Sequence, residues 1–170
     1  MARYHATVES RSPAAETFGY LATFSNAADW DRGVLAGEQL DAGPPRACSR
    51  FRLKVPFLGA RMSLTYQVIS FVPDREVVLH AANALLRSTD RIVVTGTADG
   101  STVSYDAEVR LRGPMRLLDP LLRPGFRTVA ERAAAGLAGA LSRRPPGRGT
   151  GTPAAPAPPG GAAKPAGRRP

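Results

Sequence analysis

Cysteine is nearly absent from this chain: Cys48 is the only one in 170 residues. No disulfide can form within the chain, which fits a reducing, cytoplasmic setting. Histidine is scarce too, with only His5 and His80. No two of these three residues stand at a metal-ligand spacing such as HxxxH or CxxC, so neither a metal nor another cofactor is expected. Long apolar runs are also missing. The longest weakly polar stretch, "AAAGLAGAL" (133–141), is far below the roughly 18 residues of a membrane span. The opening "MARYHATVESR" has no apolar core of a secretory signal. Nucleophile motifs are missing as well. There is no GxSxG elbow, and Cys48 in "PPRACSRF" has no Cys/His signature around it. "GRGTGT" (147–152) has neither the strand before it nor the helix after it that a phosphate loop requires.

Acidic residues are missing from one end. The net charge is +9, yet the segment 143–170 holds six basic residues and no acid, so most of the excess sits there. That segment also lacks Leu, Ile, Val, Phe, Tyr and Trp. It has nothing to bury against the entropy of ordering, so 143–170 is expected to be a disordered, basic Pro/Gly/Ala-rich tail. Its charge offers weak contact with an anionic membrane or a nucleic acid.

Residues 1–142 read as one domain. "RYHATVE" (3–9) alternates, with Tyr4, Ala6 and Val8 on one face, as in a half-buried strand. "SPAAETFGYLATF" follows with Ser12 as a candidate N-cap, Pro13 at the first helical position and Glu16 near the capping-box position. "NAADW" is a second short helix that Asn26 is placed to cap. From Val34 onward the period is two. "FRLKVPF" (51–57), "RMSLTYQVISFV" (61–72), "EVVLHAA" (76–82), "STDRIVVTGTA" (88–98) and "STVSYDAEVRLR" (101–112) are separated by short turn signals. Such gaps imply an antiparallel meander. From "LLDPLLRPGF" to Ser142, apolar residues recur at three and four, as in a long amphipathic helix. Pro120 and Pro124 are expected to kink or subdivide its first half.

This order resembles the START/Bet v 1-like superfamily, the group also labelled SRPBCC or polyketide cyclase/dehydrase. The resemblance is carried by "FGYLATFSNAADWD" (18–31), "LTYQVISFVPDREVVL" (64–79), "DGSTVSY" (99–105) and "LLDPLLRPGFRTVAERAAAGLAGAL" (117–141), and it covers 1–142. It implies an α+β helix-grip fold: a curved antiparallel sheet of about seven strands around a long C-terminal helix, with two short helices after the first strand. It also implies that those short helices form a V at the cavity mouth, with Trp30 closing the second. Trp30 is then a packing anchor, with a ligand-contacting wall residue as the other reading.

In such a fold the inward faces line a space between sheet and helix. Leu64, Tyr66, Val68, Tyr105, Ala107 and Val109 are the expected ligand-binding residues of the sheet. Leu121, Phe126 and Val129 are those of the helix. Tyr66 and Tyr105 either orient a ligand or are core tyrosines with hydroxyls at the rim. Two residues are candidate acid–base groups. Glu38 shares a face with Val34 and Leu40 and points inward if they do, unless a twist turns it to solvent. His80 shares a face with Val78 and Ala82, opposite Val77 and Leu79, and reads as outward or at a rim. The strand arginines Arg50, Arg52, Arg110 and Arg112 mostly alternate outward, which speaks against a strongly polar chamber. The expected function is the binding of a small hydrophobic or amphipathic ligand, such as a lipid, isoprenoid or polyketide. A polyketide cyclase/dehydratase-type enzyme is one alternative. An interaction protein acting through its basic tail is another.

Overall fold

The computed structural model describes residues 1–57 and 59–143, and of 115, 116 and 118–130 the backbone alone. Of the segment 143–170 expected to be a disordered tail, Arg143 ends the last helix and 144–170 lie outside the described residues. Strand β1 (Ala2–Ser10) leads into helix α1 (Ala14–Ala22), a 3-10 turn (Phe24–Asn26) and the short helix α2 (Ala27–Trp30). Strands β2 (Ala36–Gln39), β3 (Arg50–Phe57), β4 (Ala60–Val72), β5 (Glu76–Ala82), β6 (Leu86–Thr97) and β7 (Gly100–Leu111) follow. A 3-10 segment (Gly113–Leu118) precedes helix α3 (Asp119–Arg143). The sheet order is β1-β7-β6-β5-β4-β3-β2, and every pair is antiparallel. A sheet whose one face is apolar must bury that face, and here it curls around helices: the helix-grip fold.

Alternation sets the two faces. On β7, Val103 and Tyr105 are buried while Glu108 and Arg110 stand on the other side. On the convex face, Arg3 pairs with Glu108 at 2.8 Å, His5 with Asp106 at 2.7 Å and Arg91 with Glu76 at 2.7 Å. Exposed pairs of this kind contribute about 0–1 kcal/mol each, so they mark the solvent face more than they hold it. The concave face carries the core. Phe51, Val68, Val77, Leu79, Ile92 and Val103 are buried there, each worth roughly 1.5–3 kcal/mol. Phe18 of α1 meets Phe71 edge to face, and Phe24 meets both Phe51 and Tyr66.

Helix α3 packs on β1 and on α2. Its last turns bury Ala133, Leu137, Ala140 and Leu141, the stripe that a spacing of three and four produces. Gly136 sits where the helix meets α2: a Cβ there would lie 2.0 Å from the Trp30 carbonyl oxygen. Only glycine allows this approach. The α-helix is unbroken through Pro120 and Pro124, and the subdivision falls before Pro120, where the 3-10 segment ends at Leu118. Pro120 lies in the first turn, where its missing N–H costs nothing.

Several local expectations fail for identifiable reasons. Helix α1 starts one residue later than expected, with Pro13 at the cap and no side-chain cap bond. The Ser12 carbonyl instead accepts from Thr17 Oγ1 and Ser101 Oγ, which ties the helix start to β7. Asn26 does not cap α2. Its Nδ2 donates to the Tyr20 carbonyl at 2.9 Å and clamps the end of α1. In β4 the register shifts between Val68 and Ser70. Ile69 stays outward, 60% exposed, as alternation from Leu64, Tyr66 and Val68 requires, but the bulge brings Phe71 rather than Ser70 against the core, so strict alternation along "YQVISFV" is interrupted after Ile69.

Candidate functional site

Between the concave face and the helices lies a cavity of about 410 Å³. Strands β3 and β4 give it Leu53, Val55, Met62 and Leu64, β7 gives Tyr105, Ala107 and Val109, and Phe24, Trp30 and Ala133 close it from the helices. Of the expected sheet residues, Leu64, Tyr66, Tyr105, Ala107 and Val109 line this space. Val68 lies on the same face, fully buried, but is part of the core rather than of the lining. Leu121, Phe126 and Val129 lie on α3 where side chains are outside the described residues.

Trp30 is 4% exposed, and its ring stands edge to face on Tyr105 with centroids 5.7 Å apart. It belongs to the core and also forms part of the cavity wall.

Glu38 does not face the cavity. Its side chain is 55% exposed and pairs with Arg52 at 2.8 Å, its direct partner across β2 and β3. The facing inverts between Val34 and Ala36, because the inward position belongs to Gly37. A Cβ at Gly37 would lie 2.4 Å from the Ser25 carbonyl oxygen, so the strand presses its backbone against the 3-10 turn there. His80 lies opposite the buried Leu79 and Ala81, and its Nδ1 is 3.1 Å from Thr89 Oγ1 on the convex face. Neither candidate acid–base residue reaches the cavity.

The cavity does hold a carboxylate, one that the sequence reading passed over. Asp90 on β6 is 4% exposed and lines the space. Tyr105 donates its hydroxyl to Asp90 Oδ1 at 2.6 Å, and Ser88 Oγ donates to Oδ2 at 3.0 Å. The Tyr66 hydroxyl reaches the same pair, Ser88 and Asp90. Burial pushes the Asp90 carboxyl up to about 6, although the three hydroxyls pull the other way. Burial also raises both tyrosines well above the ordinary phenol value, and the neighbouring Asp90 adds to the shift. Asp31, just after α2, is a second carboxyl in the lining. Its pKa is raised by burial and partly restored by the Gly33 N–H, which donates to Oδ1 at 2.7 Å.

The signal for Asp90 was present in "STDRIVV". Ile92 and Val94 are inward, and a period of two carries Asp90, Ser88 and Leu86 to the same side. The expectation against a strongly polar chamber rested on outward arginines. Arg52 and Arg110 are indeed exposed, but the inward acid of β6 gives the cavity a polar end. Among the described residues, no group of three His, Cys, Asp or Glu side chains could hold a metal ion. Also among the described residues, no helix is long and apolar enough to cross a membrane.

Sheet, gripped helix and internal cavity define a helix-grip domain. The chain belongs to the family described as "Polyketide cyclase / dehydrase and lipid transport", which it matches over residues 1–142. Its fold is similar to that of the Zhui aromatase/cyclase from a Streptomyces strain, with a TM-score of 0.64 and 16% identity over 82% of this chain and 90% of that one. It is equally similar to a START superfamily protein from Mycobacterium smegmatis, with a TM-score of 0.64 and 15% identity over 83% of this chain and 97% of that one. At these identities the likeness concerns the fold alone. No curated protein matches the chain in sequence.

Proposed function

We propose that this protein binds a small hydrophobic or amphipathic molecule, of lipid, isoprenoid or polyketide type, inside the cavity. The observation that carries this reading is the cavity itself: about 410 Å³, walled by Leu53, Val55, Met62, Leu64, Ala107 and Val109, with a compact polar cluster at Asp90. An apolar space of this size with a few convergent polar groups is the usual form of a small-molecule site. The apolar wall supplies affinity, and the cluster orients one end of the ligand. Ala107 is the narrowest side chain among the expected lining residues of β7 and should be the most sensitive to filling. A neutral, fluorescent naphthylamine probe titrated against the protein should bind with saturation, and Ala107→Trp should abolish that binding while the domain stays folded. Undiminished probe binding in a folded Ala107→Trp protein would remove the cavity as the binding site.

One observation favours a second reading, an acid–base enzyme of the cyclase/dehydratase kind. The buried Asp90 carboxyl, held near 6 beside Tyr105, has the proton affinity that general acid–base work at neutral pH requires. On this reading the catalytic pair is Asp90 and Tyr105, in place of Glu38 or His80. Turnover of a poly-β-ketone substrate that is lost in Asp90→Asn, with probe binding retained, would separate this reading from simple binding.

A further inference from the structure

The proton ledger of the Asp90 cluster says what the cavity can offer a ligand. Tyr105 spends its one hydroxyl proton on Asp90 Oδ1, and Ser88 spends its own on Oδ2. The Tyr66 hydroxyl lies beside the same group and favours the ionised Asp90. Each hydroxyl that donates inward keeps only lone pairs for a guest. The carboxylate, with about four acceptor positions and at most three donors on it, keeps one as well. Asp31 adds a second carboxylate to the same wall, with Oδ1 already serving the Gly33 N–H. Burial of Tyr66, Tyr105 and Asp90 together places all of this in a medium where charge is felt strongly. Among the described lining residues there is no Arg, Lys or His to set against these acceptors.

Resting on the binding reading above, we infer that this cavity takes apolar ligands whose polar end donates hydrogen bonds, a hydroxyl or an ammonium, and rejects those whose polar end is a carboxylate. A donor head group finds acceptors already aimed at it and leaves the Tyr105–Asp90–Ser88 bonds intact. An anionic head group at this end would meet Asp90 and Asp31 with the Tyr105 and Ser88 protons already given to Asp90, and like charges in a buried site repel strongly.

The test uses the full chain and three ligands with one tail: decylamine, decanol and decanoate, each competing with the neutral naphthylamine probe. The pH is set about two units above the Asp90 midpoint, where its carboxyl is ionised. Ammonium and carboxylate both lose hydration on entry, so their ratio isolates the sign of the wall from the cost of burying charge. The expected result is displacement by decylamine and decanol, with decanoate weaker than decylamine by about tenfold or more. Asp90→Asn, checked for folding by its melting transition, should shrink that ratio by at least about half on a logarithmic scale, because one of the two wall charges is gone. Decanoate that competes as well as decylamine overturns the inference and leaves ligand binding standing. A ratio unchanged in folded Asp90→Asn overturns the assignment to this cluster. Failure of the probe and of all three ligands to bind overturns the binding reading and this inference together. Should Asp90→Asn not fold, the wild-type ranking still decides, and Asp31→Asn supplies the second charge removal.

Discussion

Tyr105 reaches across from β7 to donate its hydroxyl to Asp90 Oδ1 on β6, at 2.6 Å. The two are diagonal neighbours, since Asp90 stands opposite Ala107 and Ile92 opposite Tyr105. That bond joins the only carboxylate on the inward face of β6 to the ring on which Trp30 rests. Cavity chemistry and core packing therefore share one side chain.

Asp90 should make stability depend on pH in an uncommon direction. Its folded pKa of about 6 lies above the unfolded value of 3.8. The folded state therefore holds the proton more tightly, and stability falls as pH rises through the window between the two. The loss amounts to about 3 kcal/mol, complete above the folded pKa. Asp90→Asn removes this dependence. Urea unfolding of both proteins across that window should show wild type losing ground against the variant as pH rises. Parallel profiles would mean that Asp90 titrates normally.

Tyr105→Phe should move that window upward. Desolvation raises the Asp90 carboxyl, and the Tyr105 hydroxyl is the first of the groups that offset it. Without that donor the carboxylate loses a charge-assisted bond worth about 1.5–3 kcal/mol. The pH-dependent loss of stability should then extend above 6, visible as a shifted midpoint in the same urea series. An unshifted midpoint would show that the hydroxyl contributes nothing to holding the charge.

Trp30→Ala should cost about 3–5 kcal/mol, the range for buried aromatic truncations. The side chain is 4% exposed and stacks edge-on against Tyr105. Equilibrium denaturation measures the loss, and a value within about 0.5 kcal/mol, the scale of surface changes, would contradict the packing described. The same variant should enlarge the cavity, so a bulkier probe should gain affinity relative to a small one.

Two glycines on α3 should respond oppositely to alanine. At Gly136 a Cβ would meet the Trp30 carbonyl oxygen at 2.0 Å, so Gly136→Ala must push α3 away from α2 and lower the melting temperature clearly. At Gly139 the nearest contact is the end of the flexible Arg143 side chain at 3.3 Å. Gly139→Ala should stabilise by up to about 1 kcal/mol through helix propensity. Equal effects would mean that the close approach at Gly136 is not made.

Local rules sufficed wherever one face of an element is apolar over its whole length. "STVSYDAEVRL" could only be a strand with Val103 and Tyr105 inward, and the spacing of Ala133, Leu137, Ala140 and Leu141 could only be one face of a helix. The gaps between strands determined the antiparallel order for the same reason, since short turns can join only antiparallel neighbours. Tertiary contact decided the rest. The face of Glu38 depends on whether Gly37 can press against the Ser25 carbonyl, a contact between segments that are not sequence neighbours. The destination of Asn26 depends on where α1 ends in space, and the inward side of Phe71 depends on a bulge between two paired strands. Asp90 lies between the two cases. Its inward parity was legible from Ile92 and Val94, but burying an acid is costly until partners are known, and its partners Tyr105 and Tyr66 come from β7 and β4. Periodicity settles which side a residue takes; only the folded sheet brings together the hydroxyls that make a buried carboxylate tolerable.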